Sequence, residues 1–271
     1  MVPLVRRAHT DLWMWRIALA MGYDDRRWLC VPISIPLLHR HRSDEDGVQR
    51  AYRQAAAADR VLYVDACTSH GHGMGYYSPG VGWNSFCFPE LCTHSDDEGR
   101  PLAVDINVLE YVAAILGFCA VLPSILQARR ERGENDAHTH VHIWTDNSAC
   151  MAWMLMHRVT HPLHLFLCQV LSLLRVMNRV TLTVGHIPGV KNVVADAASR
   201  QFDQPGRDGL ILEDLSRLPR LPFPDGLMRD IARVATQESG TTSMSARGVL
   251  MALAGVRGWL TPRPMDSIHR C

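Results

Sequence analysis

The 271-residue chain carries 28 basic and 27 acidic residues, a net charge of +1. That balance argues against a protein that coats nucleic acid by neutralising phosphates, and it leaves room for an enzyme whose acidic site offsets its basic contact surface. Hydrophobic residues make up 47% and charged residues 20%, so the length fits one sizeable domain with appendages.

The eight cysteines form no Cys-x-x-Cys pair and several sit in apolar runs, which reads as reduced thiols of an intracellular protein, cytoplasmic or nuclear. Lys191 is the only lysine, so the basic residues are otherwise arginine, the side chain suited to bidentate phosphate contact.

Residues 1–58 combine a stretch rich in tryptophan (Trp13, Trp15, Trp28), a polar connector from His39 to Arg50, and an alanine-rich helix over Ala51 to Ala58. Arg16 interrupts the apolar run after Leu12 and no clean cleavage site follows, so no signal peptide is expected here. Strands are expected at Val61–Ala66, Gly71–Ser78 and Val81–Phe88, the last two joined by a turn at Pro79-Gly80. Cys92 to Arg100 reads as a polar loop, and Asp105 as the cap of a helix running to about Pro123.

The run Val108 to Ala128 nearly reaches bilayer length. Glu110 in its first turn and Pro123 within it fit a buried core helix better, and no membrane partner is expected. A strand at Val141–Thr145, helices at Asn147–Met156 and Leu163–Met177, a strand at Val180–Val184 and a helix from Asn192 to Arg200 complete the pattern. Hairpin strands followed by strand–helix–strand units imply an α/β fold, a five-stranded mixed sheet flanked by helices. After Gln204-Pro205-Gly206 the chain reads as linker, with one more helix over Ser243 to Trp259.

Four carboxylates stand at strand ends or on helices facing them. Asp65 closes the first strand, Glu110 lies inside an apolar helix, Asp146 follows the fourth strand, and Asp196 opens the last helix, ten positions after His186. Singly, each has an ordinary explanation: a turn, a helix dipole partner, an N-cap, an exposed helix face. Together they fall where one sheet edge would gather them, and an oxygen-rich pocket of that kind holds hard divalent cations. His138, His140 and His142 alternate along a strand without a carboxylate or thiol partner and read as partly exposed positions.

The motifs Tyr63-Val64-Asp65-Ala66, Ile106-Asn107-Val108-Leu109-Glu110, Trp144-Thr145-Asp146-Asn147-Ser148 and His186-Ile187-Pro188-Gly189 through Asp196-Ala197-Ala198-Ser199-Arg200 resemble the ribonuclease H domain of retroelement reverse transcriptases, of DIRS and gypsy type. The resemblance covers residues 61–200, about half the chain, and its last run is the most specific; Ala198 stands where leucine is common. It implies a ribonuclease H-like fold, with three antiparallel strands and then parallel ones. It also implies that Asp65, Glu110, Asp146 and Asp196 bind two Mg²⁺ or Mn²⁺ ions and that His186 assists proton transfer or product release. The substrate would be the RNA strand of an RNA–DNA hybrid, with Ser148 and Asn192 as nucleic-acid contacts.

On the same resemblance, Asp11 to Arg16 looks like the connection segment that precedes this domain. Tyr23-Asp24-Asp25 lacks the flanking strands of a polymerase palm, so the chain resembles the C-terminal part of a larger polyprotein and its partner would be a reverse transcriptase polymerase domain. The expected organisation is a connection-like segment over 1–58, the nuclease-like domain over 59–201, and a linker with helical tail over 202–271. Two alternatives stand beside the ribonuclease: a catalytically silent nucleic-acid-binding module of the same fold, and a nuclease acting on DNA.

Overall fold

A computed structural model describes residues 47–68, 73–87, 106–134, 138–156, 162–201, 215–229 and 231. The expectations for residues 1–46, the loop over 92–100, the Asp105 cap and the helix over 243–259 lie outside them. In chain order the elements are α1 (Gly47–Ala56), β1 (Arg60–Ala66), β2 (Gly73–Ser78), β3 (Gly82–Cys87), α2 (Ile106–Glu131), β4 (Thr139–Thr145), α3 (Ser148–Met156), α4 (Pro162–Met177), β5 (Val180–His186), a short 3₁₀ turn (Gly189–Lys191) and α5 (Val193–Arg200).

The five strands form one sheet in the order β3-β2-β1-β4-β5. The pairs β1–β2 and β2–β3 are antiparallel, and β1–β4 and β4–β5 are parallel. This is the α/β, ribonuclease H-like arrangement that the sequence implies. The hairpin turns where expected: Gly80 has φ +70°, and the Val81 amide donates to Ser78 O at 3.1 Å, the pattern of a type II turn with proline second and glycine third.

Alternation along β1 divides its side chains between the two faces. Leu62, Val64 and Ala66 enter the main core with α2, while Tyr63 packs with Ala51, Trp144 and Ile187 under α1. The α2 helix can lie close to the sheet because Gly117 faces it: a Cβ there would meet Tyr76 Cβ at 2.9 Å and Leu62 Cδ2 at 3.1 Å. By length and composition α2 could cross a membrane, but most of it is buried within this fold.

Two expectations change. The α2 helix does not stop near Pro123 but runs to Glu131. A proline costs the helix one internal hydrogen bond. Here the later turns are anchored independently: Ile125 is buried, and Arg129 donates to Thr139 Oγ1 at 2.6 Å, to Asn178 O at 2.7 Å and to Arg179 O at 3.0 Å.

The second change concerns residues 215–231, which are no linker. Trp83 N donates to Pro219 O and Leu221 N to Trp83 O, so the segment pairs with the edge strand β3 through the Trp83–Arg220 bridge. Leu221, Leu227, Met228 and Ile231 belong to the main core, and the Arg220 guanidinium lies 3.5 Å above the Trp83 ring. With α1 also seated on the sheet, the packed unit extends beyond both expected boundaries, 58/59 and 201/202.

Candidate metal centre

The pairing of β1 with β4 ends at Tyr63↔Trp144, and the two strands part just where Asp65 and Asp146 follow. Ligands of open α/β sheets lodge at such carboxyl ends. The Cys67 amide donates across to Gly73 O on β2, so by alternation the Ala66 amide faces the side that β4 no longer covers. Glu110, reaching in from α2, fills that place: Oε1 accepts from Ala66 N at 3.1 Å and Oε2 from Thr145 Oγ1 at 3.3 Å.

Asp146 sits between β4 and α3 with its carboxylate uncommitted to the helix. The ordinary alternative for Asp146, a helix cap, falls to Asn147, whose Oδ1 accepts from Cys150 N at 2.9 Å and whose side-chain amide donates to Asn107 Oδ1 at 2.8 Å. Neither Asn147 nor Asn107 carries an assigned role in the sequence reading, although asparagine is among the strongest caps. The β5 side closes in as well. Ile187 N donates to Thr145 O at 3.0 Å, His186 Nε2 lies 3.0 Å from Asp146 O, and a Cβ at Gly189 would meet Asp146 Oδ2 at 2.8 Å.

The result is a cluster in which Asp65, Glu110 and Asp146 each offer a carboxylate oxygen, all within 4.8 Å of one another. Asp65 and Glu110 are each 3% exposed. Burial first, and the neighbouring Asp146 and Asp196 charges next, push the Asp65 carboxyl up to about 8, against a hydrogen bond from Ser199 that lowers it. Burial and then the charges of Asp65 and Asp146 carry Glu110 well above the usual carboxylate range. Asp146 is raised by burial and by Asp196, with His186 opposing. Mutually repelling carboxylates in a desolvated place call for a cation. An all-oxygen donor set with Gly189 leaving space beside Asp146 fits a hard divalent ion.

The other expected site residues fall into different positions. Asp196 stands outside the trio, its side chain 38% exposed and paired with Arg200 Nε at 2.6 Å, though its charge still acts on Asp65 and Asp146. His186 and Ser148 are exposed beside the cluster. Asn192 is 1% exposed and donates to Val64 O at 2.8 Å; an amide so enclosed fixes α5 on β1, and the expected nucleic-acid contact is not open to it.

His142, expected as partly exposed, is fully buried. Its Nδ1 and the Nε2 of His140 both reach Thr183 Oγ1, at 2.8 and 2.6 Å. Burial, then His140, draws the His142 imidazole down to about 4.

No protein-family model matches the chain, and no curated protein matches it. Among solved structures it is similar to LC11-RNase H1 in complex with an RNA/DNA hybrid, at 17% identity over 53% of this chain and 95% of that one, with a TM-score of 0.36. It is also similar to RNase H1 from the halophilic archaeon Halobacterium salinarum, at 17% identity over 53% and 96%, TM-score 0.34. A third is the N-terminal RNase H domain of a Mycobacterium tuberculosis protein, fused to maltose-binding protein, at 17% identity over 58% and 99%, TM-score 0.30. The structural neighbours are thus RNase H proteins, while strand order and pairing define the fold of this chain directly.

Proposed function

We propose that this protein is a metal-dependent endonuclease of ribonuclease H type that hydrolyses the RNA strand of RNA–DNA hybrids and derives from a retroelement reverse transcriptase. The single observation that carries the reading is the trio of buried Asp65, buried Glu110 and half-buried Asp146, whose carboxylate oxygens lie within 4.8 Å of one another. Its motifs support the choice of substrate. Asp65, Glu110 and Asp146 would hold Mg²⁺ or Mn²⁺, with Asp196 completing a set for two ions at the rim.

The chemistry such cations would supply when bound is a lowered pKa for an attacking water and stabilisation of the leaving 3′ oxygen. The chain's own residues do the rest. Ala66 N and Thr145 Oγ1 fix both oxygens of Glu110, Asn147 takes the cap and leaves the Asp146 carboxylate to the site, and His186, exposed, would move a proton at the solvent side. Ser148, exposed at the start of α3, is available to the nucleic acid. The setting is intracellular, with a reverse transcriptase polymerase domain as partner.

The test is cleavage of an end-labelled RNA–DNA hybrid in Mg²⁺. Wild-type protein is expected to cut the RNA strand and Asp146→Asn to be at least about a hundredfold slower, since even residues that merely support a metal ligand cost 10–100-fold. Equal rates would remove the assigned site, and cutting of duplex DNA in place of hybrid would reassign the substrate. One observation favours a silent module instead: Asp196 is tied to Arg200 rather than gathered with the trio. Tight hybrid binding with no turnover in Mn²⁺ would establish that alternative.

A further inference from the structure

The α5 helix has only eight residues, too few to hold its place by its own hydrogen bonds. Its position on the sheet is set by contacts at both ends and by one gap between them. At its start the Asn192 amide donates to Val64 O at 2.8 Å. In the middle, Gly75 on β2 lets it lie flat, since a Cβ at that position would meet Ala195 O at 2.7 Å, Ser199 N at 2.6 Å and Ala198 Cβ at 2.8 Å. At its end the fully buried Ser199 hydroxyl reaches the Asp65 carboxylate through Oδ2. The same hydroxyl oxygen is 2.9 Å from Asp196 O. Having one proton, it can serve only one of these two acceptors at a time. Ser199 thus sits where the strand that carries Asp65 meets the helix that carries Asp196.

We infer that Ser199 is the positioning residue of the metal centre: its hydroxyl fixes the Asp65 carboxylate for the cation and sets the helix that brings Asp196 to the rim. This rests on the metal-centre reading of the trio. Groups that hydrogen-bond a ligating carboxylate from behind orient it without touching the metal, and their loss costs 10–100-fold in affinity or activity. Ser199 has no solvent access and therefore acts on the substrate only through Asp65 and Asp196.

The experiment is Mn²⁺ titration of the 271-residue protein by calorimetry, alongside hybrid-cleavage kinetics and the metal-free melting temperature. Ser199→Ala is expected to keep its metal-free fold, to bind Mn²⁺ about 10–100-fold more weakly, and to lose kcat with KM for the hybrid unchanged. Ser199→Thr, which keeps the hydroxyl, is expected to recover most of the affinity. If Ser199→Ala does not fold, Ser199→Cys, of similar size but a weak donor, is expected to show the same loss. A folded Ser199→Ala protein that binds Mn²⁺ as tightly as wild type overturns the inference and leaves the metal centre standing. Wild-type protein that binds no Mn²⁺ overturns both.

Discussion

At the scale of single residues, the site is a cluster of carboxyls held in the fold at an energetic cost, and that cost has a pH signature. Asp65 has an ordinary value of 3.8 and a folded value of about 8, so the folded protein keeps a proton that the unfolded chain has lost. Its contribution makes stability fall as pH rises from about 4 to about 8. Glu110 and Asp146, both raised, act in the same direction. His142 works the other way: its folded value near 4 lies below the ordinary 6.5, so its contribution rises with pH across that interval. Below pH 6.5 the effects oppose, and above it the carboxyls act alone. In chelator, the melting temperature should fall between pH 6.5 and 8, and Asp65→Asn should flatten the slope; a flat or rising wild-type curve would contradict the burial of these charges. The trio was legible in the sequence because Asp65 and Asp146 follow hydrophobic strands and Glu110 interrupts an apolar helix. Asn147, Asn107 and Thr145 were less so, because residues that orient a carboxylate are ordinary polar types whose role appears only once strands and helices meet.

Among the elements, the close contact of α5 with β2 sets the geometry. Gly75→Ala would force a methyl into backbone atoms of α5 at 2.6 and 2.7 Å. Overpacking of that kind costs about 1–3 kcal/mol, to be read from urea unfolding, and the displaced helix should take the Ser199–Asp65 contact with it. Unfolding at the wild-type midpoint would show that α5 can shift freely. Strands and helices were readable from alternation and from the Pro79-Gly80 turn. The end of α2 was not readable, because Pro123 marks a local break whereas the burial of Ile125 and the three hydrogen bonds of Arg129 are tertiary. His142 likewise reads as a half-exposed strand residue until the Trp144 ring packs against it at 4.6 Å.

For the whole molecule, the segment over 215–231 is the largest departure from the sequence reading. Its prolines suggest a linker, yet the segment pairs with the sheet edge at Arg220 and turns helical over 225–229, bringing apolar side chains into the core. Leu221, Leu227, Met228 and Ile231 are all at most 6% exposed. Removing each such side chain costs about 1.5–3 kcal/mol, and four approach the whole stability of an ordinary domain, about 5–15 kcal/mol. Truncation after residue 201 should therefore give a protein without a cooperative melting transition; a stable 1–201 fragment would make the segment dispensable. The claim on which the functional reading turns is that Asp65, Glu110 and Asp146 share a cation. Anomalous diffraction from crystals grown with Mn²⁺ tests it most directly. A peak bounded by those three carboxylates is the predicted result; a saturated crystal with density elsewhere and none among them would contradict it.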